Sequence, residues 1–212
     1  MAAPSDGLSS LWLIEGLIEG LVVHIFSFVF SILIIAFLIQ FQLIWPAESY
    51  LLENLDVGSV SLLFIPHGIK AIAVVIGGLP ALFAIALAHF ATDMFLSLPI
   101  ERALWSAFSG SFVMLLPLLV FNFMMGRQLL SSISLNDDYR LSMVRLVIAV
   151  ALVSSLLNGL LNAVYHEGNG LSLLAFRYVL GDMLGTLLAL AILMIFRRSV
   201  LRYVSRKAGI VD

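Results

Sequence analysis

The chain has no cysteine, and only 11% of its 212 residues are charged. Without thiols it has no disulfide framework, no thiolate nucleophile and no cysteine metal site. The scarcity of charge excludes more. A soluble domain of this size carries about 25% charged residues, and a set this small cannot cover a water-facing surface. Intrinsic disorder is excluded by the same numbers, because 62% of the residues are hydrophobic. Catalytic signatures are missing too: there is no HExxH, no GxSxG and no P-loop. No cation precedes the first apolar run and no small-x-small site follows it, so a cleavable signal peptide is not expected.

Long apolar runs are what the chain does have. They predict an all-α fold, a polytopic membrane helical bundle of about six transmembrane helices forming a single domain over 1–212. The expected spans are 21–44, 59–76, 77–98, 103–125, 141–165 and 171–196. Pro66-His67-Gly68 interrupts the second, and Gly77-Gly78-Leu79-Pro80 separates it from the third. Within the N-terminal segment 1–20, Leu8 to Gly20 reads as a short interfacial helix with Glu15 and Glu19 one turn apart.

The few charges predict orientation. Eight cations (Arg127, Arg140, Arg145, Arg197, Arg198, Arg202, Arg206 and Lys207) fall on one side of a six-span arrangement. The first loop on the other side carries Glu48, Glu53 and Asp56 and no cation. The positive-inside rule then places both termini in the cytoplasm of a bacterial inner membrane, with 197–212 as a basic tail. That tail is a flank to a membrane helix rather than a nucleic-acid site.

Ionisable groups inside a span are costly and call for a partner or a cavity. The candidates for a ligand-binding site are His67, Lys70, His89, Asp93, Asn158, Asn162, Arg177 and Asp182. At 1.5 Å per residue, Lys70 and Asp182 both lie about 15 Å below the outer surface, a depth that suggests a buried pair. The rest also gather in the outer half. Two readings stand side by side: an outward-facing pocket for a small molecule, or ion pairs that fix helix register with Arg177 and Asp93 reaching to the headgroups. Pro66-His67-Gly68 reads equally as an unwound segment lining that pocket or as a helix start with Pro in its first turn. His89 and Asp93 share a helix face and could form a relay. No third ligand accompanies them, and a His24–His89 haem pair has nothing beyond two histidines behind it, so neither a metal nor a cofactor is expected. Gly181 and Gly185, Ser27 and Ser31, and Ala84 and Ala88 are small-residue pairs that allow close helix approach, within the bundle or in a homo-oligomer.

Two stretches, Phe64-Ile-Pro-His-Gly-Ile-Lys through Gly77-Gly78-Leu-Pro-Ala-Leu-Phe83 and Arg177-Tyr-Val-Leu-Gly-Asp-Met-Leu-Gly185, resemble the first type of bacterial membrane-associated sensor domain. The matching positions are Pro66, Gly68, Gly77, Pro80, Gly181, Asp182 and Gly185. Ile65 and His67 depart from the family's Trp and second Pro. The resemblance implies a non-catalytic membrane input module. With no output domain following the sixth span, it would signal through a separate cytoplasmic partner. The alternatives are the six-helix substrate-binding component of an energy-coupling-factor uptake system, docked on a coupling protein, and a purely structural membrane protein.

Overall fold

The computed structural model describes residues 6–52, 61–124, 140–165 and 171–207. All regular structure there is helical. The order is α1 (Asp6–Ile39), a π-helical turn (Gln40–Ile44), α2 (Trp45–Leu51), α3 (Ile65–Phe95), α4 (Ile100–Met124), α5 (Arg140–Tyr165) and α6 (Leu171–Lys207). Five helical stretches are long and apolar enough to cross a membrane: Glu19–Leu51, Ile65–Phe95, Ile100–Met124, Val144–Asn162 and Ala175–Phe196. The chain is thus a multi-pass membrane protein by helix length and hydropathy. Its exposed surface is correspondingly greasy, with Phe28, Ile35, Phe83, Phe123 and Ile195 among the large side chains turned outward.

The six expected spans appear as five long helical stretches because the second and third are joined in α3. Its backbone is helical throughout except at Gly78, where φ is 57° and ψ is −134°. That region is nearly closed to residues with a Cβ, and Pro80 just beyond removes another helical amide. The joint is a reversal rather than a bend. Lys70 and His89 are 19 residues apart yet their side chains meet at 3.2 Å, whereas a straight helix would hold them roughly 28 Å apart. The arms 65–77 and 79–95 therefore run antiparallel.

The first arm is only about 20 Å long, short for a crossing. An extended segment, residues 61–64, precedes it and adds about 13 Å. The combined reach of roughly 33 Å matches a hydrocarbon core of about 30 Å. The direction is fixed by contacts: Ser61 packs on Gly181, Phe64 on Gly185, and Gly68 on Thr186 and Ala189. The segment and its arm thus descend alongside α6.

The separate interfacial helix expected at Leu8–Gly20 is not formed. It is continuous with the first span in α1, a helix of 34 residues, because no Pro interrupts the run and Gly20 does not end it. The first span also does not stop at Trp45-Pro46. Proline collides with the carbonyl four residues earlier in a regular α-helix. The chain widens before it instead: the Trp45 amide bonds Gln40 oxygen, and Pro46 falls in the first turn of α2. The side chains of the cationic tail and of the 126–140 loop, and Glu53 and Asp56, lie outside the described residues.

The core lies between α1, both arms of α3, α4 and α5. Leu33, Val74, Ile85, Met114 and Val150 are almost fully enclosed there. Ala84 and Ala88 are buried in it, whereas Ser27 and Ser31 are exposed on α1.

Candidate functional site

A helix start inside a membrane leaves amides with no partner, and the segment before it has no ladder of its own. Side chains supply what the backbone lacks. The Ser61 hydroxyl donates to Glu48 Oε2 at 2.6 Å and accepts from Gln40 Nε2 at 3.0 Å. It also accepts from the Leu63 amide at 3.2 Å. The Leu62 amide bonds Glu48 Oε2, and the Ile65 amide bonds Gln40 Oε1, both at 3.2 Å. The Phe64 amide bonds Gly181 oxygen at 3.0 Å. Every amide from Leu62 to Ile65 is satisfied, and Pro66 has none to satisfy. Gln40 reaches the segment from the π-helical turn, which explains why a wide turn is kept there.

The two glycines of the Gly181/Gly185 pair receive this segment. A Cβ on Gly181 would strike Ser61 oxygen, and one on Gly185 would strike Phe64 oxygen. The pair was expected to pack helix on helix or copy on copy. It packs helix on extended backbone, because only an unadorned surface lets a carbonyl come that close. With that face covered from within, it is not available for a homo-oligomer.

Beside the segment, toward the π-helical turn, the start of α2, the end of α3 and the start of α4, lies a cavity of about 200 Å³. One wall is aromatic: Phe37, Phe41, Trp45 and Phe64. Lys70, His89, Asp93, Asn158, Asn162 and Asp182 also line the cavity. Six of the eight candidate residues thus border one space. His67 is buried behind Asp182, and Arg177 is half-buried on α6 outside the lining.

Lys70 and Asp182 were expected to pair directly. Their closest partners are different. Asp182 Oδ2 stands 3.0 Å from His67 Nδ1, an ion-pair distance at an angle that makes no hydrogen bond. The same oxygen accepts from Asn158 Nδ2 at 3.1 Å, and Asn162 Nδ2 in turn bonds Asn158 Oδ1 at 2.9 Å. Lys70 Nζ donates to His89 Nε2 at 3.2 Å. This makes Nε2 the acceptor, so the proton of His89 sits on Nδ1 and is donated to Ser106 Oγ at 3.1 Å. The Lys70 ammonium also lies 5.9 Å from the Phe64 ring centroid, within cation–π range. Depth along a helix aligned Lys70 with Asp182 but said nothing of the angle around each axis.

The expected His89–Asp93 relay is likewise replaced. Both ring nitrogens of His89 are occupied, and Asp93 faces Ser106 and Arg102 instead. The occupied nitrogens also remove His89 from a haem pair, and His24 is exposed on α1. Among the described residues there is no group of three or more His, Cys, Asp or Glu placed to hold a metal.

Sequence reasoning missed Ser154, whose Oγ lies 3.0 Å from His67 Nε2. Asp182, His67 and Ser154 follow one another as carboxylate, imidazole and hydroxyl. Ser154 is fully buried, however, and its hydroxyl donates to Ala151 oxygen at 3.1 Å. It does not line the cavity described above. The three groups tie the first arm of α3 to α5 and α6. Gln40, Glu48 and Ser61 were missed as well. Gln40, one of two amides with Gln42 in an otherwise apolar run, was the available signal.

His89 is aimed by α4. A Cβ on Gly110 would come within 2.5 Å of His89 Nε2. Gly110→Ala should therefore swing the imidazole off Lys70 and lower stability by about 1–3 kcal/mol, the usual cost of overpacking. Thermal unfolding in detergent checks this: His89→Ala should recover part of the loss in the double variant, and strict additivity would refute the contact.

Compared with protein-family models, curated proteins and solved structures, the chain matches none.

Proposed function

We propose that this membrane protein is a receptor module that binds a small molecule in the cavity and acts through a separate cytoplasmic partner. The observation that carries the reading is the placement of Lys70, His89, Asp93 and Asp182 around one open volume inside an apolar bundle. Such groups are expensive in a membrane and concentrate where a ligand or ion is handled. Residues behind the sensor-domain resemblance support it. Pro66 starts the first arm, Gly181 and Gly185 seat the extended segment, and Asp182 borders the cavity.

The antiparallel arms of α3 keep an even number of passes, which agrees with both termini in the cytoplasm and the cavity toward the outer face. An uptake component is the second reading. It needs a small-residue face for a coupling subunit, and exposed Ser27 and Ser31 are flanked by exposed Phe28 and Ile35, which disfavours it.

Native mass spectrometry of the purified protein, followed by a thermal-shift screen of metabolites, tests the proposal. A retained or stabilising small molecule is expected. A protein that emerges empty and is shifted by nothing in the screen refutes the receptor reading.

A further inference from the structure

The cavity holds a cation and a carboxylate that face the same space without joining. Lys70 and Asp182 are each 1% exposed, and each feels the other's charge. Yet among the described residues it is the His67 ring, not the Lys70 ammonium, that stands within 3.0 Å of Asp182. In a medium of low dielectric, opposite charges on free side chains would close on each other. These are held back. His89, itself fixed by Ser106, holds the ammonium at 3.2 Å. Asn158 holds the carboxylate from the other side by donating to Oδ2, and the His67 ring stands 3.0 Å from that same oxygen. The ammonium has three N–H groups and one such acceptor, and the carboxylate has a second oxygen.

Charge balance narrows what fits. Asp93 is met by Arg102, which is exposed, so Lys70 and Asp182 are the buried charges left to face a ligand, and one with net charge would leave one of them uncompensated. The volume of about 200 Å³ is below the roughly 300–1,000 Å³ of pockets for drug-sized ligands. Phe37 and Phe41 offer an apolar surface beside the charged pair.

We propose that the cavity binds a small zwitterion of amino-acid type, its acid group on Lys70, its amine on Asp182 and an apolar side chain on Phe37 and Phe41. The inference rests on the receptor reading and narrows it to one ligand class.

The test is calorimetric titration of the detergent-purified protein with the common α-amino acids and with singly charged analogues, 3-phenylpropanoate and 2-phenylethylamine. At least one apolar amino acid should bind at least ~30-fold more tightly than either analogue, the range expected when one partner of a buried charge pair is withheld. Lys70→Met should erase the preference for the amino acid over the amine. Should that variant fail to elute as a monodisperse species, Lys70→Arg, which keeps the charge, is compared: retained preference supports the assignment and its loss with intact folding opposes it. Equal affinity for an amino acid and a singly charged analogue overturns the proposal. So does a panel without binders when native mass spectrometry finds another retained compound, a result that leaves the receptor reading standing. An empty protein that binds nothing overturns both.

Discussion

Gly185→Ala should be the most damaging single methyl group that can be added to this chain. Its Cβ would occupy the position of Phe64 oxygen, with Phe64 carbon and the Ile65 amide nitrogen close behind. All three are backbone, so no rotamer change relieves the overlap. The extended segment must lift from α6, which breaks the Phe64 amide bond to Gly181 oxygen and displaces the Ile65 amide from Gln40. Each buried amide left unpaired costs about 1–3 kcal/mol, and overpacking adds a similar amount. A loss of about 4 kcal/mol is expected, a fall in Tm on the order of 10 °C. Thermal unfolding in detergent reads it directly. Gly20→Ala is the control, since nothing lies within 4 Å of its Cβ. If both variants melt together, the close seating of the segment on α6 is wrong.

Asp182→Ala should follow closely. Interhelical hydrogen bonds in membranes average about 0.6 kcal/mol, so losing the Asn158 bond alone would barely register. Removing one member of a buried ion pair costs about 3–5 kcal/mol, because the other charge is stranded. The size of the loss therefore decides which interaction matters. A drop near 1 kcal/mol means that His67 and Asp182 meet as neutral groups. A drop of 3 kcal/mol or more, largely repaired by His67→Phe in the double variant, means that they meet as ions. Asp182→Asn, which keeps shape and can still meet Asn158, should be milder than Asp182→Ala. Equal losses would assign the effect to the carboxylate's charge rather than to packing.

Much of the fold was legible because a membrane imposes a simple rule on helix length. The runs ending near Met124, Tyr165 and Phe196 were found within a few residues. The break at Gly77-Gly78-Leu79-Pro80 was legible as a break, though not as the centre of one reversing helix. What could not be read were features whose partners lie far off in sequence. Gln40 and Ile65 meet across 25 positions, and His67 and Ser154 across 87. The site was legible in one coordinate. Rise per residue put Lys70 and Asp182 at a common expected level. It gave no angle, so Lys70 was assigned to Asp182 when His89 stands closer. Glu48 shows the same limit. In sequence it is one acid in a polar loop. In space it accepts from Ser61 and Leu62 and fastens the extended segment.

The reversal at Gly78 also bears on how the chain is made. Its turn consists of Gly77, Gly78, Leu79 and Pro80 and holds no Lys or Arg. Retention of a loop on one side during insertion depends on such cations, so this tip has no topological signal of its own. The hairpin must partition into the bilayer as one unit, with its sidedness dictated by flanking segments. Its two arms then carry Lys70 and His89 into the lipid already side by side. An ammonium that would be costly to insert alone enters with its acceptor beside it.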